Sequence, residues 1–266
     1  MALIEKLSAI GNAIREKTGK EELLTLDAMP GEIAGIETGG GTNENELIEG
    51  LAADTWPTGN ITLTGSSIKN APFKAKPITS IVMPNVTDIP ASGFQGCKQL
   101  QSVEAPEATT IGDSAFYDCS SLGELTFPKV TTMPGRSTFR RSSVTRLIFP
   151  ALNALENYYH FGETKSLQVL DFHVLTKITA QLSFPSGSNC RVLVLRKSDG
   201  ITTLNSGNAF NGVTFKAILV PSALIETYQT ATNWSTYSVF QPLESYTEDG
   251  TIMGKLDESK IAGWLA

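Results

Sequence analysis

The chain has 266 residues, of which 41% are hydrophobic, and a formal net charge of −6. That length and apolar content suffice for a substantial core, whereas the acidic balance argues against a nucleic-acid binder, which needs a phosphate-neutralising basic surface. Three cysteines make no disulfide framework, and two histidines leave little material for a metal or acid–base centre.

At the start of the chain Leu3, Leu7, Ile10 and Ile14 fall on one face of a predicted helix in heptad register, with Gly19 as its stop. Two uses of that stripe are open. It can pack against Ile33 and Ile36 beyond Pro30, or it can form a seam for oligomerisation or docking. Glu5, Lys6 and Asn12 interrupt what would be the apolar centre of a secretory signal, so none is expected, and Asn60, Asn85 and Asn233 then carry no glycosylation meaning. No stretch approaches the roughly 20 apolar residues that span a bilayer.

Residues 1–36 therefore read as a helical attachment or oligomerisation segment, and 37–44, Gly-rich and polar, as a flexible linker. Residues 45–77 hold a short helical candidate at 46–53, then an alternating strand-like stretch at 59–68 that has the form of an imperfect first coil and cap.

From residue 78 a phrase of apolar-x-x-apolar-x-apolar-Pro begins, and it returns at 100, 122 and 144 after three intervals of 22 residues. Looser copies follow at 167, 190 and 215, after 23, 23 and 25 residues. A fixed period of this size is the mark of a solenoid in which each repeat is one stacked coil. Alternation within the phrase predicts a short strand with Leu122, Leu125 and Phe127 inward, ended by a proline that has no donor to extend the ladder. Further apolar positions recur at Ile89, Ile111, Met133, Leu155, Ile178 and Ile201, and aromatics at Phe94, Phe116, Phe139, Phe161 and Phe184. One coil cannot fold alone. Its roughly five apolar side chains stabilise by about 1.5–3 kcal/mol each when buried, against an ordering cost of about 1–2 kcal/mol for every residue. The predicted fold is mainly β: about seven coils with short parallel strands over 78–221, followed by a helix and hairpin cap over 222–266.

In that cap Ser222 is a predicted N-cap for a helix at 223–231, Leu224, Tyr228 and Trp234 can cover the last coil, and Asp249-Gly250 signals a hairpin. The apolar residues of 260–265 can dock back or form an interface. Cys97 and Cys119 share one repeat position and Cys190 replaces a strand leucine, so all three read as small buried groups.

No phosphate loop, nucleotide fingerprint or nucleophile elbow occurs. Glu104 and Glu124 fall at outward strand positions on adjacent coils, a conceivable carboxylate pair but also an ordinary solvated face. No catalytic residue, metal or cofactor is expected. Two surfaces are candidates for binding. Arg136, Arg140, Arg141 and Arg146 lie close to the phase of Tyr158, Tyr159 and His160 on the next coil, a combination that suits anionic or sugar ligands and equally describes exposed arginines on a solvated edge. Val192, Val194, Ala217 and Leu219 form an outward apolar run, either covered by the chain's own cap or open to a partner.

The stretch SGFQGCKQLQSVEAPEATTIGDSAFYDCSSLGELTFP, residues 92–128, resembles leucine-rich repeats of the BspA-like type, found in bacterial surface proteins and in phage and prophage proteins of Firmicutes. The resemblance covers about residues 78–221. Residues 7–36 are similar to an N-terminal segment of Firmicutes phage tail-associated proteins, and 220–234 with 246–261 resemble the stretch that closes such repeat arrays. The resemblance implies a non-enzymatic virion protein, made in a host cytoplasm, with tail proteins as partners of its N-terminus and a host-surface protein or glycan as partner of its repeats. It also admits homo-oligomers, and as the alternative a BspA-like adhesin at the bacterial cell surface. The pattern departs after Val144: the Cys-and-small positions become Arg140-Arg141 and Glu163-Thr164, and the proline becomes His173 and Arg196. An irregular path is expected there.

Overall fold

The computed structural model describes residues 59–63, 65–68, 71–179 and 190–266. The expected stripe of Leu3, Leu7, Ile10 and Ile14, the linker, the helix at 46–53 and Phe184 lie outside the described residues. Each apolar phrase is a short strand: β1 (Gly59–Thr62), β2 (Ile78–Val82), β4 (Ser102–Glu104), β6 (Glu124–Thr126), β7 (Arg146–Phe149), β9 (Val169–Phe172), β11 (Val192–Leu195) and β13 (Ala217–Val220). These make about eight turns of a parallel β-solenoid. The count exceeds seven because 59–62 is a full rung, paired to β2 through a register irregularity at Gly59/Asn60. Pairing is parallel throughout, in the orders β1-β2-β4 and β6-β7-β9-β11-β13, with β14 (Phe240–Pro242) as a last rung beyond β13. Between β4 and β6 the ladder thins to the Gly123 N–H donating to the Gln101 carbonyl at 3.2 Å.

Strands end where the prolines stand, and the inward positions Ile81, Val103, Leu125, Leu147, Leu170, Leu193 and Ile218 are buried in one continuous core. The expected irregularity after Val144 does not occur in these rungs. Val169, Val192 and Ala217 pair in register, because the main-chain ladder fixes the path and the proline's role is only to stop it.

A second parallel ladder runs along another side. Its two-residue strands are β3 (Asp88–Ile89), β5 (Thr110–Ile111), β8 (Ala154–Leu155), β10 (Lys177–Ile178) and β12 (Thr203–Leu204), paired as β3-β5 and β8-β10-β12. β3, β5, β8 and β10 carry the recurring apolar position at Ile89, Ile111, Leu155 and Ile178, whereas in β12 Leu204 and not Ile201 pairs with Ile178; the hydroxyls of Thr109, Thr131, Thr176 and Thr203 donate to main-chain carbonyls of the preceding coil.

The third side is built from turns. There alternate residues donate between coils, as in Ser92 to Asp113, Phe94 to Ala115 and Gly96 to Tyr117, while the intervening N–H groups close local turns. This repeating pattern places two residues per coil in the left-handed region, and the inward residue between them is the phenylalanine. Phe73, Phe94, Phe116, Phe139 and Phe161 stack with centroids 5.5, 5.4, 5.2 and 6.0 Å apart. Coils pass too close for a side chain at Gly112 and Gly135. A Cβ on Gly135 would stand 2.2 Å from the Asp113 Cα, so no larger residue fits there without moving backbone.

The C-terminal cap departs from expectation in one detail. Ser222 does not cap a helix; its hydroxyl donates to Glu244 at 3.0 Å. A 3-10 turn at Ser222–Leu224 leads into α1 (Ile225–Thr230), whose N-cap Leu224 offers no side-chain acceptor. Tyr228 and Trp234 are fully buried at the end of the stack, where the Tyr228 hydroxyl accepts the Thr202 N–H and the Trp234 Nε1–H donates to the Thr202 carbonyl. The chain then turns back through a hairpin closed by Thr247 and Leu256, with Gly250 at its tip, and ends in α2 (Glu258–Leu265), capped by Asp257.

Candidate functional site

The cap decides one candidate surface. The hairpin and α2 lie across the outward face of β9, β11 and β13, and Leu243, Leu256 and Ile261 form a second apolar core with Val169, Val192, Val194, Ala217 and Leu219. The run Val192, Val194, Ala217 and Leu219 is therefore no open interface in this structure: all four side chains are inaccessible to solvent, covered by their own chain. Water exclusion from so much aliphatic surface is the physical reason for the strap.

One of the residues that replace the prolines, Arg196, holds it down. Arg196 makes a two-pronged ion pair to Asp171, both contacts at 2.7 Å, and its remaining nitrogen donates to the carbonyls of Ile252 and Gly254 at 2.6 and 2.8 Å. His173 stands 3.6 Å from the same carboxylate. At the far end Arg191 donates to the Ala266 main-chain oxygen at 2.6 Å, matching a cation to the negative end of α2.

Arg146, grouped with the arginine cluster by sequence, belongs to this side as well. It projects from β7 between Glu124 at 3.3 Å and Glu258 of α2 at 2.6 Å. With Asp171, His173, Arg196 and Met253 it lines a cleft of about 490 Å³ at the strap's edge. Glu124 is thus committed to an arginine, and Glu104 sits in the neighbouring row of outward positions, so the conceivable carboxylate pair has no support from this geometry.

His160 also leaves the expected cluster. The turn carries it inward beside Phe161, where it is fully buried; its Nε2–H donates to the Glu156 carbonyl at 2.5 Å, which leaves Nδ1 to accept the Thr138 hydroxyl at 2.9 Å. Burial pushes the imidazole down from 6.5 to about 4, overriding that hydrogen bond and the nearby Asp113 charge. A histidine neutral in the native state and protonated in the unfolded one favours unfolding as pH falls from 6.5 towards 4, by roughly 3 kcal/mol at the lower end. The expected result is an unfolding free energy that declines over this window, with a shallower decline in His160→Gln, measured by urea titration at several pH values. His173 is displaced downward by burial too and adds to the decline in both proteins.

What remains of the cluster is compact. Three guanidinium groups of one turn each lie over a tyrosine ring of a neighbouring turn: Arg136 over Tyr158 at 5.2 Å, Arg140 over Tyr159 at 5.5 Å and Arg141 over Tyr117 at 5.9 Å. Glu163 accepts from both Arg140 and Arg141, and these contacts hold its carboxyl below the ordinary range, Arg140 contributing most. Tyr117, whose hydroxyl accepts from Arg141 at 3.1 Å, escaped the sequence reading because it sits one residue past a core phenylalanine, on the coil before the arginines. The three cysteines are buried, and burial raises their thiols, that of Cys97 to about 11.

A parallel solenoid with a 22-residue period, a phenylalanine stack and a capped end defines a leucine-rich-repeat scaffold. Residues 66–191 match the family described as BspA type leucine rich repeat region, in six copies, and the chain carries a region of that type. No curated protein matches the chain. Among the described residues no helix is long and apolar enough to cross a membrane, and no group of three or more His, Cys, Asp and Glu is placed to hold a metal ion.

Proposed function

We propose that this protein is a non-enzymatic recognition scaffold of a phage or prophage particle, attached through its N-terminal segment to tail components and presenting its repeat body to a host-surface protein or glycan. The observation that carries the recognition reading is the stack of parallel rungs around one core, covered at its far end by its own strap, a support whose side chains project at fixed spacing. BspA-type repeats are a setting for protein binding or adhesion, and many copies on one particle would multiply a weak contact by effective concentration. The virion assignment rests on the likeness of residues 7–36 and of the closing stretch to tail-associated proteins. A bacterial surface adhesin built on the same repeats is the second reading, favoured by the same family match.

Two measurements test this. Gold-labelled antibody against the chain should decorate tails in electron micrographs of the particle, and excess purified full chain should reduce particle adsorption to host cells. Decoration of the bacterial envelope, with particles unlabelled, would instead establish the adhesin.

A further inference from the structure

The turn side repeats one backbone pattern, and its left-handed positions show what the fold asks for there. The first is occupied on successive coils by Ser92, Ser114 and Ser137, at φ of 56°, 54° and 54°, and then by Tyr159 at 63°. The second is occupied by Ala75, Gly96 and Asp118 and then by Arg141 at 60°. Small or short polar side chains tolerate this region, whereas bulky ones are strained in it, at a cost on the order of 1 kcal/mol or more. Tyr159 and Arg141 thus stand where the preceding coils are served by serine, glycine or aspartate, and neither side chain enters the core. Both reach outward into the set of arginines laid on tyrosines.

The chemistry of that set is directional. A guanidinium over an aromatic ring keeps its donors for charge-assisted bonds to a carboxylate or phosphate. Arg140 Nε and Nη2 and Arg141 Nε already go to Glu163 and Arg141 Nη1 to the Tyr117 hydroxyl, so the Arg136 guanidinium, Arg140 Nη1 and Arg141 Nη2 are the donors offered to a ligand. Beside the three guanidinium groups stand two carboxylates: Glu163, bonded to Arg140 and Arg141, and Asp113, which accepts the Arg136 main-chain N–H at 3.2 Å, while Lys98 and Asp118 pair at 3.8 Å. The patch is cationic on a chain of net charge −6. Tyr158 is exposed, and the patch crosses three turns, a span of about 10 Å at the usual inter-strand spacing. An open, ridged surface of that length with rings and forks suits a polymer of sugar or polyol units with an anion on each repeat, its apolar ring faces resting on tyrosine and its charges on arginine.

We propose that the turn face formed by Tyr117, Arg136, Arg140, Arg141, Tyr158 and Tyr159 binds a glycan-type polymer bearing carboxylate or phosphate groups. This assignment rests on the recognition-scaffold reading and names the ligand class of its repeat body. The test uses the full chain on surfaces coated with polygalacturonate, poly(glycerol phosphate), neutral dextran and single-stranded DNA. Binding to at least one of the two anionic polyols is expected, weakening as salt rises and about tenfold stronger than to dextran, an energy of about 1.4 kcal/mol. Which of the two binds better distinguishes carboxylate from phosphate as the source. Tyr159→Ser and Arg141→Gly restore residues that the preceding coils use, so each should keep or raise the melting temperature while lowering binding about tenfold. Absence of binding to both anionic polyols, undiminished binding by both variants, or DNA binding as tight as the better polyol would each overturn the assignment. Should the whole chain still compete for adsorption when these surfaces fail, the scaffold reading stands and only this site falls.

Discussion

Arg196→Met is expected to lower the unfolding free energy by about 3–5 kcal/mol, the range found when one partner of a buried ion pair is removed. Arg196 and Asp171 are both almost fully buried, and the substitution leaves a carboxylate without its fork and the carbonyls of Ile252 and Gly254 without a donor. Packing volume is largely conserved, so the loss reports the unpaired polar groups and not a cavity. The strap should fail first. Once it lifts, Val192, Val194, Ala217 and Leu219 meet water, so limited proteolysis between residues 243 and 266 and dye binding to apolar surface should both rise before the repeats melt. Arg196→Lys should recover only part of the loss, since an ammonium keeps the charge without the planar fork. A change below about 1 kcal/mol in urea unfolding would show that the clamp contributes little.

The second large effect is expected within the stack. Phe116 lies 5.4 Å from Phe94, 5.2 Å from Phe139 and 5.9 Å from Phe127, so Phe116→Ala removes contacts to coils on both sides. Truncating a buried phenylalanine costs about 3–5 kcal/mol. In a stack of nearest neighbours the loss falls on two interfaces at once, and a single cooperative transition should divide into two, read by circular dichroism against urea. Phe116→Leu should cost less and keep one transition, because it refills most of the volume. Equal midpoints for the alanine variant and the parent would contradict a stack whose coils depend on one another.

The arginine–tyrosine face shows where sequence reasoning stops. The sequence groups Arg136, Arg140, Arg141, Tyr158 and Tyr159 by phase and side-chain chemistry, and phase within a period is conserved when coils stack: Arg136 meets Tyr158 and Arg140 meets Tyr159, whereas Arg141 turns to Tyr117 on the other side and joins Arg140 through Glu163. His160 and Arg146 share the neighbourhood in sequence but not its direction. One residue past Tyr159 the turn points inward, and Arg146 has already entered the next strand, facing Glu124 and Glu258. The second ladder was missed for a related reason: strands of two residues are too short to display alternation, and only their partners on adjacent coils reveal them.

The repeated phrase, read as a string, determined the solenoid, the inward rows, the phenylalanine column and the stopping points of the strands, because all follow from a period that each coil obeys locally. Tertiary structure alone decided the fate of the outward aliphatic run and of the two residues in the prolines' place. Asp171 and Arg196 are 25 residues apart and Arg196 and Ile252 are 56 apart, and no local pattern encodes contacts made when the end of a chain folds back over its middle. Desolvation of the aliphatic face drives that return, and a buried ion pair fixes where the strap comes to rest.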